Sequence, residues 1–272
     1  MAITRVHHLN CGTMLPLGRQ LPGVMPRDLV AHCLLVERRD GLTLVDTGIG
    51  VADVQQRAAR LGRAFMLLVG PVLDPAETAA AQVSALGFAP GDVTDIVLTH
   101  LDPDHSGGLA DFPHATVHVG RAEHDAAMHP VLRERLRYLP AHWSHGPRWQ
   151  THDVAGESWQ GFEAVTVLTD DILLVPLVGH TRGHSGVAVR GPDGWILHAG
   201  DAYFHEGDVS PTVRTPPGLV AFQVAQSMVD RLRRDNLARL RELHARRTDI
   251  TLFCAHDRTE FDRLAGASGF SG

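Results

Sequence analysis

Cysteine is scarce in this sequence. Cys11, Cys33 and Cys254 are the only three in 272 residues, too few and too scattered for a disulfide framework, which fits a reducing compartment. Long apolar runs are missing as well: none approaches the roughly 20 residues that span a bilayer, so no membrane partner is expected. The start, Met1-Ala2-Ile3-Thr4-Arg5-Val6-His7-His8, lacks the basic-then-apolar plan of a secretory leader, and the expected location is the cytoplasm. A concentrated positive field is also absent. Formal net charge is −6, with basic and acidic residues interleaved except over 231–247, where arginines at helical spacing among leucines read as a solvated face. Phosphate binding needs such a field, so nucleic acid is not an expected partner. No Gly-, Ser- or Pro-rich linker divides the chain, and one domain over 1–272 is expected, large enough for a sizeable core.

What the chain has in abundance is histidine, 18 residues, of which only those in patterned positions count as candidate ligands. The pattern begins with strands. Residues 29–37 and 42–46 are short apolar runs split by Arg38-Arg39-Asp40-Gly41, a hairpin-type break. Residues 53–61 and 75–86 read as helices, the second with Asp74 as N-cap, Pro75 at the first helical position and Gly87 as the stop. A strand at 96–98, a strand at 115–119 and a helix at 122–128 follow. Over 129–159 periodicity weakens while His, Trp, Arg and Pro accumulate, as in a loop or cap over a pocket. Further strands are expected at 172–178, 186–190, 195–199 and 250–254. Between the last two lies a helix at 220–246 with an apolar stripe through Phe222, Ala225, Val229, Leu232, Leu240 and Leu243, and a break placed near Asp235-Asn236. Strands followed by helices occur twice, so the class is α/β, two sheet-and-helix halves packed face to face with a site along a shared edge.

Ligand-type residues sit where these strands end. Thr99-His100-Leu101-Asp102-Pro103-Asp104-His105-Ser106-Gly107-Gly108 carries His100, Asp102, Asp104 and His105 directly after Ile96-Val97-Leu98. The arrangement recurs in Leu44-Val45-Asp46-Thr47-Gly48, in Val178-Gly179-His180-Thr181-Arg182-Gly183-His184-Ser185, in Leu197-His198-Ala199-Gly200-Asp201 and in Phe253-Cys254-Ala255-His256-Asp257. Neutral imidazoles supply nitrogen donors, and a carboxylate shared between two cations offsets their repulsion. Two metals about 3.5–4 Å apart lower the pKa of a bridging water toward neutrality and polarise a carbonyl or phosphoryl oxygen.

In order and separation, from Asp46 to His256, these five motifs resemble the metallo-β-lactamase fold superfamily. The resemblance implies a four-layer αββα sandwich with a dinuclear site at the sheet edges. It implies one metal held by His100, the residue at 102 and His180, a second held by Asp104, His105 and His256, and Asp201 bridging the two. Asp46 is expected to orient a ligand or steady its turn rather than bind metal.

The superfamily's usual pattern is His-x-His-x-Asp-His, and Asp102 stands where the second His is expected. A carboxylate there adds negative charge and a hard oxygen donor, which weakens the preference for zinc and favours iron or manganese. Two divalent ions are expected, zinc first. Asp102 as a ligand and Asp102 as a neighbour too short to reach the metal both stay open. The similar His-x-Glu-x-Asp-His pattern of flavodiiron reductases makes a di-iron oxidoreductase the runner-up, against the flavodoxin domain those proteins carry and this sequence lacks. His184 is expected in the pocket wall or behind the ligands. Lactonases of the superfamily often carry a Tyr three residues after the bridging Asp; here that offset holds Phe204, with Tyr203 one earlier, so lactone specificity is not supported. Tyr203 stays open between packing and substrate contact. His142, His145, Arg148 and His152 read as solvated or structural. Phe65-Met66-Leu67-Leu68-Val69 either covers the pocket or forms the contact of a homodimer.

These readings point first to a metal-dependent hydrolase acting on a small-molecule substrate. A metal-bridged hydroxide positioned by Asp104 and Asp201, the expected catalytic pair, would attack an ester, thioester, lactone or similar carbonyl. The alternatives are the di-iron oxidoreductase and a catalytically silent metabolite-binding relative.

Overall fold

The computed structural model describes residues 3–153 and 157–268. Its layers follow from strands that are apolar on both faces. In β2 (His32–Arg38), Cys33 and Leu35 join one core while Leu34 and Val36 join another, the period-two split of a sheet buried on both sides. β1 (Ile3–Asn10), β2, β3 (Gly41–Val45), β4 (Val93–Val97), β5 (Thr116–Gly120) and β6 (Arg148–His152) make one sheet in that order, antiparallel through β3 and parallel from β3 to β6. β7 (Glu157–Trp159), β8 (Phe162–Thr166), β9 (Ile172–Pro176), β10 (Ser185–Gly191), β11 (Gly194–His198) and β12 (Ile250–Phe253) make the second, antiparallel except for the β11–β12 pair.

The inner faces meet through Leu34, Val36, Val45 and Val97 of the first sheet and Ile172, Leu174, Val187 and Val189 of the second. Helices cover the outer faces. After β3 come α1 (Val51–Gln56), α2 (Ala58–Leu61) and α3 (Arg63–Leu68); α4 (Ala79–Ala85) then packs Ala79 and Val83 on the first sheet. The four-residue α5 (Pro103–Ser106) follows β4, and α6 (Arg121–Met128) adds Ala126 and Ala127 to the same outer core. α7 (Pro217–Gln226) precedes α8 (Asp230–Arg246), which lays Leu237, Leu240 and Leu243 on the second sheet, and α9 (Arg258–Ser268) packs on β1. This is the expected αββα order of layers. No helix among the described residues is long and apolar enough to cross a membrane.

Four expectations about elements need correction. The helix expected at 53–61 breaks at Arg57, whose φ of 48° lies in the left-handed region, and gives α1 and α2. The helix expected at 75–86 starts late. Asp74 caps only a 3-10 turn, Pro75–Glu77, and Thr78 is the true N-cap, its hydroxyl accepting from Ala81 N at 3.3 Å. The ring-rich stretch 129–159 is not wholly irregular: β6 lies within it as an edge strand, and its partly exposed polar side chains concealed the strand period. Finally, the break in 220–246 falls at 227–229 rather than at Asp235-Asn236. Met228 N and Val229 N donate to His180 O and Gly179 O at 3.0 and 2.9 Å, so backbone donors that would continue α7 are drawn to the loop after β9. Asn236 does not break α8; its amide donates to Val178 O at 2.9 Å and clamps that same loop.

Candidate metal centre

The ends of five strands converge on one edge of the sandwich. Asp46 follows β3, His100 to His105 follow β4, His180 follows β9, Asp201 follows β11 and His256 follows β12. All seven expected ligands, His100, Asp102, Asp104, His105, His180, Asp201 and His256, are buried there. Two groups have donor atoms within 4.8 Å of one another: His100, His180 and Asp201 in one, and Asp104, His105 and His256 in the other. Asp201 lies between them. Its Oδ2 is 3.3 Å from His180 Nε2 and 3.8 Å from His100 Nε2, while its Oδ1 is 3.3 Å from His105 Nε2 and 3.0 Å from His256 Nε2. Asp104 Oδ2 stands 3.7 Å from His256 Nε2.

The supporting hydrogen bonds set the tautomers. The Thr99 hydroxyl donates to Asp46 Oδ2 at 2.8 Å, so its contact with His100 Nδ1 at 2.9 Å is one that the imidazole N–H donates. His105 Nδ1 donates to Asp46 Oδ2 and His256 Nδ1 to Val30 O, both at 2.8 Å. Each of the three rings therefore turns Nε2 toward the cluster. Asp46 accepts from His105 Nδ1 and from Thr99 N, each at 2.8 Å, and so orients the His105 ring while standing outside both groups of donor atoms.

Electrostatics agree with a cation site. Burial works to raise the Asp201 carboxyl, but the imidazoles of His256, His105 and His180 overcome it and hold the group well below the usual carboxylate range. Burial pushes His180 down to about 4, so it is a neutral donor at pH 7. Among the described residues His100 Nε2, His105 Nε2 and Asp201 Oδ1 are buried without a hydrogen-bond partner. Orphaned buried polar atoms cost on the order of 1–3 kcal/mol each. Three of them facing a common centre, with nitrogen and carboxylate donors of the right type, fit a pair of divalent ions.

Asp102 is oriented two ways. Its Oδ2 is 3.0 Å from His180 Nε2 and 3.5 Å from His100 Nε2, and its Oδ1 is 3.3 Å from Arg137 Nε. Burial would raise its carboxyl, yet Arg137 and His100 keep it ionised, well below the usual range. His184 is not available as a ligand. Its Nδ1 donates to Leu177 O at 3.0 Å and its Nε2 accepts from Asp201 N at 2.8 Å, so both nitrogens serve to seat Asp201.

Tyr203 is a buried packing ring whose hydroxyl donates to Glu260 Oε1 at 3.0 Å, whereas Phe204 faces the cluster, its ring centroid 4.8 Å from that of His256. A cavity of about 290 Å³ opens onto Asp102, Asp104, His180, Asp201 and His256. Its far wall is apolar, with Phe65, Leu68 and Val69 of the α3 segment facing Phe204, Phe222 and Met228. The α3 segment therefore lines the pocket. His142, His145, Arg148 and His152 do not line this cavity among the described residues; His142 is buried with Nε2 3.1 Å from Asp53 Oδ1, a structural pair.

Two supporting residues carry no sequence signal. Arg137 sits in the stretch where periodicity fails. Glu123 lies on α6, fully buried, and its carboxylate accepts from Leu101 N and Tyr138 Oη at 3.0 Å, Thr181 Oγ1 at 2.6 Å and Gly183 N at 3.2 Å. It thereby ties the His100 turn to the His180 loop. Nothing in the spacing of either residue points to the elements it reaches.

Comparison with known proteins agrees with this geometry. The family model described as the metallo-beta-lactamase superfamily matches residues 26–256. A Mycobacterium tuberculosis protein named "Probable metallo-hydrolase" is 46% identical over 258 residues, covering 93% of this chain and 80% of its own length. An Azorhizobium caulinodans protein named N-acyl homoserine lactonase AttM is 29% identical over 87% of this chain and 85% of its own. The structure of an N-acyl homoserine lactone hydrolase, with N-hexanoyl-L-homoserine at its catalytic metal centre, superposes with a TM-score of 0.73 at 20% identity, covering 97% of both chains. The dizinc quorum-quenching lactonase AidC superposes at 0.59 and 17% identity over 95% of this chain and 90% of its own. The chain thus belongs to the metallo-β-lactamase superfamily and is a metal-dependent hydrolase of that fold.

Proposed function

We propose that the chain hydrolyses an ester or lactone of a small molecule bearing an apolar acyl tail, at a centre of two divalent ions with zinc as the first candidate. His100, Asp102 and His180 would hold one ion, Asp104, His105 and His256 the other, and Asp201 both. The ions would supply an activated water and an electrophilic partner for the carbonyl oxygen. Asp201, whose carboxylate lies between the two groups of donors, would orient that water. Asp104, on the cavity wall, is placed to take its proton and return it to the leaving oxygen.

The observation that carries the substrate class is the cavity itself, polar at the strand ends and apolar along α3 and α7. An acyl chain laid on the apolar wall puts its carbonyl at the cluster. Arg133 and Arg137 are the cations along this cavity, and Arg137 is held by Asp102 and two backbone carbonyls, so little remains for a phosphate. Relatives named as N-acyl homoserine lactonases support a lactone among the substrates. Phe204 in place of a tyrosine leaves ring-opening without a phenol to polarise the carbonyl, which favours open-chain esters equally.

The test is hydrolysis of p-nitrophenyl esters and N-acyl lactones of two to ten acyl carbons, with and without chelator, beside elemental analysis of the metal. Activity that rises with acyl length and vanishes with chelator supports the reading. Activity indifferent to both overturns it, and two iron ions per chain with no hydrolysis would favour the oxidoreductase.

A further inference from the structure

We propose that Arg137 is the electrostatic partner that lets Asp102 serve as a metal ligand: its guanidinium holds one carboxylate oxygen, leaves the other to the cluster, and offsets the negative charge Asp102 brings. The inference rests on the assignment of His100, Asp102 and His180 to one ion.

The two oxygens of Asp102 have separate surroundings. Oδ2 faces His180 Nε2 and His100 Nε2 at 3.0 and 3.5 Å, and Oδ1 faces Arg137 Nε at 3.3 Å. The Oδ1 contact is an ion pair rather than a hydrogen bond, since Oδ1 is buried without a hydrogen-bond partner, and it leaves Oδ2 as a single donor toward the cluster, as an imidazole presents. Arg137 is itself fixed. Nη1 donates to His180 O at 2.8 Å and Nη2 to Gln226 O at 3.0 Å, and its side chain is only 11% exposed. The turn that carries it is bound to the His180 loop by the bidentate Arg182–Glu134 pair, at 2.6 and 2.8 Å. A guanidinium so tethered cannot swing away when the charge at 102 changes.

Charge makes the pairing necessary. Asp102, Asp104 and Asp201 bring three carboxylates to one buried site. With Arg137 counted, the net charge around the ions is that of two carboxylates and neutral imidazoles. A neutral side chain at 102 would therefore leave a fixed cation beside the ions, and repulsion between like charges at this range is strong in a buried site.

The consequence runs against simple ligand logic: installing a histidine at 102 weakens binding while Arg137 remains. Zinc affinity and stoichiometry, read by competition with a chromophoric chelator, are compared for the wild type, D102H, R137M and D102H/R137M, with circular dichroism and thermal unfolding as the check on folding. D102H is expected to bind zinc about tenfold or more weakly than wild type, and R137M in that background to recover most of the loss, a non-additivity typical of contacting charges. D102N in the same cycle carries the same expectation if D102H does not fold. Equal or tighter binding by D102H, or an Arg137→Met effect that is the same with Asp, His or Asn at 102, overturns the proposal and leaves Arg137 a strut. A wild type that binds no zinc refutes the ligand assignment itself; two bound zinc ions with an additive cycle refute only the role of Arg137.

Discussion

Glu260→Gln should stabilise the protein above pH 7 and flatten its stability profile. Glu260 is buried on α9 at 2% exposure, its Oε2 accepting from Cys254 N at 2.8 Å and its Oε1 from the Tyr203 hydroxyl at 3.0 Å. Burial first, and the nearby Asp257 charge second, raise its carboxyl from 4.5 to about 7. The folded state therefore keeps a proton that the unfolded state releases above about pH 4.5. The stability from this proton is complete below that pH and is lost as pH rises through about 7. At about 1.4 kcal/mol per pH unit the displacement amounts to roughly 3 kcal/mol of penalty above pH 8. Glutamine is never charged and still accepts from Cys254 N, but its amide faces the Tyr203 hydroxyl and leaves that proton without an acceptor, at a cost of about 1 kcal/mol. At pH 5.5 the wild type has already lost about 1.4 kcal/mol, so the variant is expected to match it there to within about 0.5 kcal/mol and to be more stable by roughly 2 kcal/mol at pH 8.5. Urea midpoints of both proteins at pH 5.5, 7 and 8.5 read the difference, from which titrations common to both cancel. Parallel profiles would refute the reasoning, since they would mean that Glu260 is ionised, or protonated, throughout.

Three further outcomes are expected. Asp201→Ala removes the carboxylate that lies between the two groups of donors and should lower metal content together with activity; unchanged loading in elemental analysis would contradict the proposed bridging role. Gly179→Ala places a Cβ 2.3 Å from Arg233 N, at a φ of 149° that L side chains rarely adopt, so the loop must move and His180 with it. Zinc stoichiometry should fall while the far-UV spectrum is kept, and full loading would show that the loop absorbs the change. Glu123→Gln keeps one acceptor oxygen but sets an NH2 group against two of the four donors and should cost on the order of 2–4 kcal/mol, visible as a lowered urea midpoint; a change under about 0.5 kcal/mol would show that those donors find other partners.

The cluster of candidate ligands was legible because sheet chemistry writes it locally. A strand buried on both faces is a continuous apolar run, and its end is where the chain leaves the core, so a His or Asp at that point stands out, as at Asp46, His100, Asp201 and His256. The fold class followed from the same runs. What sequence reasoning missed depends on contacts made between elements. The end of α7 is set by Met228 and Val229 donating to a loop some fifty residues earlier, and no propensity at 227–229 encodes that. Asn236 has poor helix propensity, which drew the expected break to it, yet its side-chain bond to Val178 O gives it a reason to stand inside a helix. Arg137 and Glu123 act through bonds to residues on other elements, and such residues have no period.

These contacts are distributed unevenly, and the unevenness bears on specificity. The His180 loop is clamped from every side: by Arg137 and Met228 on His180 O, Val229 on Gly179 O, Asn236 on Val178 O and Glu123 on Thr181 and Gly183. A candidate ligand carried on a loop thus gains the rigidity of a strand, as a metal site would need for its donors to hold their geometry. The opposite wall is tied down mainly through its backbone, by Leu17 N on Leu68 O, Gly218 N on Val24 O and the Arg133 and Arg137 guanidiniums on Ala225 O and Gln226 O, while the side chains it turns to the cavity are apolar. α3 and α7 meet it through Phe65, Leu68 and Phe222, with Leu67, Val220 and Val224 of the same helices exposed. Apolar packing tolerates exchange of side chains of similar volume far better than a hydrogen-bonded network does. The metal-side end is accordingly the fixed part of this molecule, and under the proposed function the wall that α3 and α7 build would set the choice of acyl group.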